Sequence, residues 1–427
     1  MRARLKAFFQ PHTIGVTAPW RVFWVALGVR LAFITLAHTF RFHGWGERFD
    51  FGYEAGRIAA ALVSGHGYAD PFSNIVVRHT GPTAWLPPVY PLLLAGVFRL
   101  FGIYTHLSGW VILAINSIFS AFTAMSVWEI GFRFAGRRCG VWAGWLWALH
   151  PSAMQYAVKW VWEMSITTAL FLWVIVLALR MRESGSSDTR QTRRWLLFGL
   201  LWGLIALSNS TLLLFLPVCG LWVLAGTRWR VSGAVLAGVV FLACVTPWTV
   251  RNYTVFHKFI PLRGNFGAEL YLGNGPGATG FLMEYDHPFL AQDQLRLYAR
   301  MGEVKYVAMR GEAAKAVIKA DPKHFVADTL LRVYFFWAGV PHAADESAAS
   351  EVGRLLNHGF ISLCGFFGLA LAIARGKDGA WVFAWAFLLL PLPYYLVTAH
   401  ARFRHPLEPI ICVLAVYLFQ SAEPKKA

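Results

Sequence analysis

An all-α polytopic membrane protein is the fold class this sequence predicts, and three observations carry it. Of 427 residues, 57% are apolar and only 14% charged, roughly half the charge of a soluble domain. Twenty tryptophans and an aromatic content of 16% suit aromatic belts at two membrane interfaces. Apolar runs of about 20 residues recur along the chain, the length that crosses a bilayer as a helix. Together these exclude an ordinary cytosolic enzyme and a disordered chain.

The spans are read at 19–40, 107–132, 139–157, 163–181, 195–207, 211–226, 231–249, 356–374, 379–398 and 405–420, about ten in all. The fifth and sixth are short. They form either one helix broken at Ser208-Asn209-Ser210 or a hairpin. Arg190, Arg193 and Arg194 precede them and Arg228 and Arg230 follow, which favours the hairpin with both ends in the cytoplasm. The first run lacks a small-residue cleavage site after it, so it reads as an uncleaved span.

Basic clusters orient the rest. Arg2, Arg4 and Lys6, the loops with Arg133, Arg137, Arg138, Arg180, Arg375 and Lys377, and the tail with Lys425 and Lys426 all fall inside if both termini are cytoplasmic. The net charge of +17 is then an asymmetry of membrane loops, with anionic lipid or phosphate as partner and no nucleic acid. Cys139, Cys219, Cys244, Cys364 and Cys412 lie in or at the edge of apolar runs, so neither a disulfide framework nor a CxxC metal site is expected.

The chain is one integral membrane domain, 1–427, with two long segments facing outward, 41–106 and 250–355. Each is too long for a bare connector. The first is expected to hold a helix over Tyr53–Ser64, a turn at Gly65-His66-Gly67, and a juxtamembrane helix opened by Pro87-Pro88. The second is Gly-rich from Gly264 to Gly280, then helical over Glu303–Lys319 and His324–Trp337.

Ionisable residues gather at the outer edges. Asp50 and Glu54 are four apart and share a face if a helix starts that early. Either suits a general base or a metal ligand, and a helix N-terminus decorated with acids is the plain alternative. Glu163 opens the fourth span, where an acid is costly unless paired or functional; Lys159 is its nearest cation in sequence. Glu129 is expected to pair with Arg133. His400-Ala401-Arg402-Phe403-Arg404-His405-Pro406 puts Arg402, Arg404 and His405 at the outer turn of the last two spans. That opposes the positive-inside trend, and guanidinium groups there suit a phosphate, with snorkelling to lipid headgroups as the alternative. Arg251, closing the seventh span, is a further phosphate candidate or a headgroup anchor. Gly275–Gly280 matches GxGxxG but follows no strand, so a dinucleotide site is rejected. The histidines show no HExxH and no zinc-ligand spacing.

In order, these segments resemble the GT-C membrane glycosyltransferases, relatives of protein O-mannosyltransferases and aminoarabinose transferases. The resemblance rests on Asp50…Glu54 with Arg57-Ile58-Ala59, Gly65-His66-Gly67-Tyr68 and Trp85-Leu86-Pro87-Pro88-Val89-Tyr90-Pro91. It continues through His150-Pro151-Ser152, Trp162-Glu163, Pro247-Trp248…Arg251-Asn252-Tyr253, Phe256…Pro261 and Leu272-Gly273-Asn274. It ends with Asp321-Pro322…Arg332…Phe336-Trp337 and His400–Pro406.

The resemblance implies transfer of a sugar from a polyprenyl-phosphate donor to a glycan, lipid or protein acceptor outside the cytoplasm, in a bacterial inner membrane. It implies a catalytic acid in the first outer loop, a second acid at Glu163 and phosphate-binding arginines among Arg251, Arg402 and Arg404. The family's adjacent acidic pair is absent here. Anchoring on Ser64-Gly65 selects Asp50, anchoring on Ile58-Ala59 and Leu62 selects Glu54, and both stand. No cofactor is required by the residues, and a divalent metal remains open. The rival readings are a transporter or lipid flippase, which would place ionisable groups near the midplane, and a non-catalytic membrane scaffold.

Overall fold

The computed structural model describes residues 18–42, 50–183, 188–227, 230–281, 283–340 and 348–421. Arg2, Arg4, Lys6, Arg228, Lys425 and Lys426 lie outside the described residues. Helices occupy 76% of the described residues, and among them the only β pairing is an isolated antiparallel bridge between Ala69 and Pro82.

In chain order the helices are α1 (Ala18–Leu36), α2 (Tyr53–Val63), α3 (Val89–Phe101), α4 (His106–Ala135), α5 (Arg137–Leu149), α6 (Pro151–Val158), α7 (Met164–Arg182) and α8 (Asp188–Ala206). A 3₁₀ turn at Ser210–Phe215 leads into α9 (Leu216–Gly226) and α10 (Val231–Phe256). The second outer segment holds α11 (Phe266–Asn274), α12 (Gln292–Met301), α13 (Glu303–Ala320) and α14 (Pro322–Ala338). The chain closes with α15 (Ala348–Ala374), α16 (Ala380–Leu389), α17 (Leu392–Leu396), α18 (Ala401–Arg404) and α19 (Glu408–Ser421). Among the described residues five helices are long and apolar enough to cross a membrane, those at Pro19–Leu36, His106–Ala135, Met164–Arg182, Val231–Phe256 and Leu355–Ala374. Shorter apolar helices lie at Val89–Phe101, Ser210–Gly226, Ala380–Leu396 and Glu408–Ser421.

Two stretches read as continuous spans are divided, each at a proline. Pro151 lacks the N–H an uninterrupted helix needs there, so 139–157 becomes α5 and α6. Pro391 and Pro393 likewise separate α16 from α17. α8 and α9 run as a hairpin: Arg194 donates to the carbonyl of Arg180, and Arg182 donates to that of Trp222, so both distal ends meet the same end of α7. The Gly-rich stretch contains α11, a helix the sequence did not suggest; Gly267 lets it lie backbone-to-backbone on Gly311 of α13.

The bundle closes on small residues, as membrane helices do. A Cβ on Gly140 of α5 would meet backbone atoms of α4, one on Gly199 of α8 would meet Ala237 of α10, and one on Gly368 of α15 would meet Leu414 of α19. Arg30, buried within α1, donates Nη1 to the carbonyls of Ala26 and Ala148 and Nε to Ser120, partners that offset the cost of a buried charge. At one end of the bundle Glu129 accepts from Arg133 (2.6 Å) and Arg180 (2.9 Å). Arg182 pairs with Asp378 there at 3.3 Å.

At the opposite end the two outer segments interlock. Glu303 accepts from the Thr83 hydroxyl (2.5 Å), the Ala84 amide (2.7 Å) and the Tyr298 hydroxyl (2.7 Å). Burial raises its carboxyl above the usual range, and these donors oppose that rise. Phe72, Trp85, Tyr298 and Tyr306 pack as one apolar cluster across the junction.

Candidate active site

The first outer segment enters α2 through Gly52, which has φ +85°, a left-handed backbone that favours glycine. The helix begins at Tyr53, so Asp50 stands three residues before it. The one-face relation of Asp50 and Glu54 therefore does not hold, because the left-handed turn re-aims the chain between them. Arg57 draws Asp50 back instead, donating Nε and Nη2 to its Oδ2 at 3.1 and 3.0 Å. The Arg57 guanidinium also lies 4.1 Å from the Phe289 ring centroid.

Glu54, in the first turn of α2, faces His287 of the second outer segment, with Oε1 3.7 Å from Nε2. His287 is 13% exposed and wedged against Phe72 and Trp85. Burial lowers its pKa to about 4; Arg402 and Arg57 push the same way and Glu269 opposes them. It is thus a neutral imidazole at pH 7. Its Nδ1 accepts from the Phe289 amide at 3.0 Å, which assigns the proton to Nε2, on the side facing Glu54. Glu269 in turn is held by Asn265 (2.7 Å) and Arg263 (3.3 Å).

Aromatic rings join this wall to the last spans. Tyr53 packs on Trp162 and on Phe289, each with centroids 5.5 Å apart. Trp162 stacks on Trp160 and carries the Arg402 guanidinium 4.6 Å from its centroid. Arg402 makes no ion pair among the described residues, and its buried Nε has no hydrogen-bond partner. Glu163 follows Trp162 at the entrance to α7. It makes no ion pair with Lys159 among the described residues, and its charge acts on Tyr90 and Tyr394.

Of the residues singled out in the sequence, Asp50, Glu54, Glu163 and Arg402 thus line one neighbourhood. Three others do not join it. Arg251 donates to the carbonyls of Thr83 (2.6 Å) and Tyr68 (2.7 Å) and lies over Tyr68, Trp248 and Phe256. Arg404, 2% exposed, donates to Ser362 (2.5 Å) and the carbonyls of Trp337 and His358, and approaches Glu408 at 3.5 Å. His405, 1% exposed, meets Glu408 at 3.1 Å and packs on Tyr156 and Trp147. Internal carbonyls and carboxylates already occupy these groups. Arg57 and His287 belong to the site but carried no role in the sequence reading. Asp50 precedes the helix that carries Arg57, so helical spacing does not announce that pair, and nothing local marks His287. Asp50, Glu54 and Glu163 do not form a three-donor metal group among the described residues.

Known proteins agree with this architecture. A family model described as dolichyl-phosphate-mannose-protein mannosyltransferase matches residues 86–250. The structure is similar to the oligosaccharyltransferase AglB of Archaeoglobus fulgidus in complex with an inhibitory peptide and a dolichol-phosphate, with TM-score 0.53 and 14% identity over 94% of this chain and 50% of that one. It is also similar to the A. fulgidus oligosaccharyltransferase in complex with Zn and sulfate, with TM-score 0.56 and 14% identity over 94% of this chain and 49% of that one. The chain therefore spans about half the length of the oligosaccharyltransferases it matches. ArnT from Cupriavidus metallidurans bound to undecaprenyl phosphate superposes with TM-score 0.45 at 14% identity, over 95% of this chain and 78% of that one. No curated protein sequence matches. The fold is that of the GT-C membrane glycosyltransferases.

Proposed function

We propose that this protein is a glycosyltransferase that moves a sugar from a polyprenyl-phosphate carrier to an acceptor on the extracytoplasmic face of a bacterial inner membrane. About ten spans would then put both termini in the cytoplasm. One observation carries the proposal: among the described residues Arg402 pairs with no carboxylate, and its guanidinium lies on the Trp162 face, in the same neighbourhood as Glu54 and Asp50. Among the described residues this cation has no carboxylate partner, and Trp162 and Tyr53 link it to the start of α2, which suits an anion that arrives with a substrate.

The chemistry then follows. The acceptor O–H or N–H gives its proton to a carboxylate as its heteroatom attacks the anomeric carbon. The bond from that carbon to the phosphate oxygen breaks, and the lipid phosphate leaves with its charge facing Arg402. A single displacement inverts the anomeric centre. Glu54 is the better placed base. Neither of its oxygens is taken by an arginine, whereas Arg57 occupies Oδ2 of Asp50. Neutral His287 faces Glu54 at 3.7 Å without adding a positive charge next to it. Asp50 is held by buried Arg57, and Glu163 orients the acceptor.

Transfer of labelled sugar from polyprenyl-phosphate donors in proteoliposomes tests this. Glu54→Gln should lower kcat by about 10²–10⁴-fold. Arg402→Ala should cost about 10²-fold in kcat/KM for the donor, and Asp50→Asn and Glu163→Gln should each lose less than Glu54→Gln. Full activity in all four folded variants would overturn the proposal.

A further inference from the structure

The first outer segment carries a second cluster of reactive side chains, set apart from the carboxylates of α2. His66, Asp70 and His79 each offer one donor atom, and the three atoms lie within 4.8 Å of one another. They are separated by 4 and then 9 positions in the chain, and no familiar ligand spacing announces them. Backbone geometry brings them together. Gly65 (φ +85°) and Gly67 (φ +76°) flank His66, Asp70 itself adopts φ +62°, and Gly81 adopts φ +88°. With the Ala69–Pro82 bridge, these left-handed positions fold 65–82 back on itself, so that His79 returns over Asp70. The two imidazole rings meet edge to face with centroids 4.6 Å apart.

We propose that His66, Asp70 and His79 form a site for a divalent transition-metal cation of the Zn²⁺ class. Two imidazoles and a carboxylate, with a fourth position open to water, are a donor set that such an ion accepts. The distances fit. Bonds of about 2.0–2.1 Å at tetrahedral angles put neighbouring donors roughly 3.3 Å apart, and His79 Nδ1 already stands 3.1 Å from Asp70 Oδ2. His66 is exposed, and its donor atom lies within 4.8 Å of the other two.

The surroundings of Asp70 resemble those of a metal-binding carboxylate. Its Oδ1 accepts from the amides of Thr80 (2.7 Å) and Gly81 (3.0 Å), so it is fixed from behind while Oδ2 faces the two histidines. Such outer hydrogen bonds orient a ligand for its ion. Asp70 is buried while both histidines are exposed, so the acid forms the floor and the imidazoles the rim of an accessible site.

A bound ion would pin the segment that carries Tyr68 and Thr83. The carbonyls of both receive Arg251, and the Thr83 hydroxyl reaches Glu303. The ion would thus act as a staple of the outer loop, and it would leave Glu54, Asp50 and His287 untouched. The inference stands independently of the proposed transferase activity.

Metal binding to the full chain in detergent tests it. After chelator treatment, Zn²⁺ is titrated by calorimetry, and Co²⁺ is followed by its visible d–d absorption, which reports tetrahedral coordination. The expected result is about one tightly bound Zn²⁺ per chain, weakened about tenfold or more in His66→Gln and in His79→Gln. Asp50→Asn and Glu54→Gln should bind as the parent does. Both histidines are exposed, so their variants should keep the parent elution volume and circular dichroism. Zn²⁺ binding that is absent, that survives both histidine substitutions, or that disappears with Asp50→Asn or Glu54→Gln would overturn the proposal.

Discussion

His287 is where a single residue ties burial to pH dependence. Its pKa is near 4 in the fold against about 6.5 in an unfolded chain. Between these values the unfolded state binds more protons than the folded one, so stability rises with pH across that window and is lost as pH falls through it. A difference of about 2.5 units sets an upper bound near 3 kcal/mol. Thermal unfolding in detergent should therefore show a larger loss between pH 7 and pH 4 for the parent than for His287→Gln, and parallel profiles would refute the buried neutral imidazole. At the same scale, the three arginines once grouped as phosphate ligands separate by their partners. Arg251 and Arg404 are spent on internal carbonyls and carboxylates, whereas Arg402 is not.

Elements depend on buried polar ties between the outer segments. Glu303, at the first position of α13, satisfies Thr83, Ala84 and Tyr298 at once. Glu303→Ala leaves three buried donors without an acceptor and should cost about 2–4 kcal/mol. Glu303→Gln should cost less, because its amide oxygen still accepts from Ala84. Denaturant or thermal unfolding of both variants checks the order, and equal losses would assign the effect to packing alone. Arg332 of α14 does the same work further along, binding the carbonyls of Gly273, Gly280 and Tyr395 and the Asn274 side chain. A Cβ on Gly273 would overlap the Val397 carbonyl oxygen, so this junction tolerates only glycine. These ties fix the segment leading to His400, and so place Arg402.

Over the whole molecule, charge is segregated by end. Arg133, Arg180, Arg182 and Asp378 share one end with Glu129, while the Glu54, Asp50, His287 and Arg402 neighbourhood occupies the other. The expected orientation is checked by a membrane-impermeant thiol reagent. The native cysteines are buried, except half-buried Cys244, so introduced ones dominate the signal. In intact cells Tyr285→Cys should label and Arg375→Cys should not, until the membrane is opened. The reverse pattern would invert the molecule and place the carboxylates inside.

The helical, membrane-spanning character was legible in the chain because long apolar runs have one way to satisfy their backbone in lipid. The helices at Tyr53–Val63, α13 and α14 also lie where the sequence placed helices, within a few residues at their ends. The helix over Phe266–Asn274 was hidden by its glycines, which serve close packing on α13 rather than a loop. Which arginine has no carboxylate partner among the described residues and that His287 faces Glu54 depend on contacts between residues far apart in the chain, and Arg57 reaches Asp50 only across a left-handed turn. The same holds for His66, Asp70 and His79, gathered by left-handed backbone turns. Composition and apolar run length set each element's helical type, because these follow from local hydrophobicity. Pairing of charges was decided only when the elements packed, because a buried ion takes whichever partner the fold brings within reach.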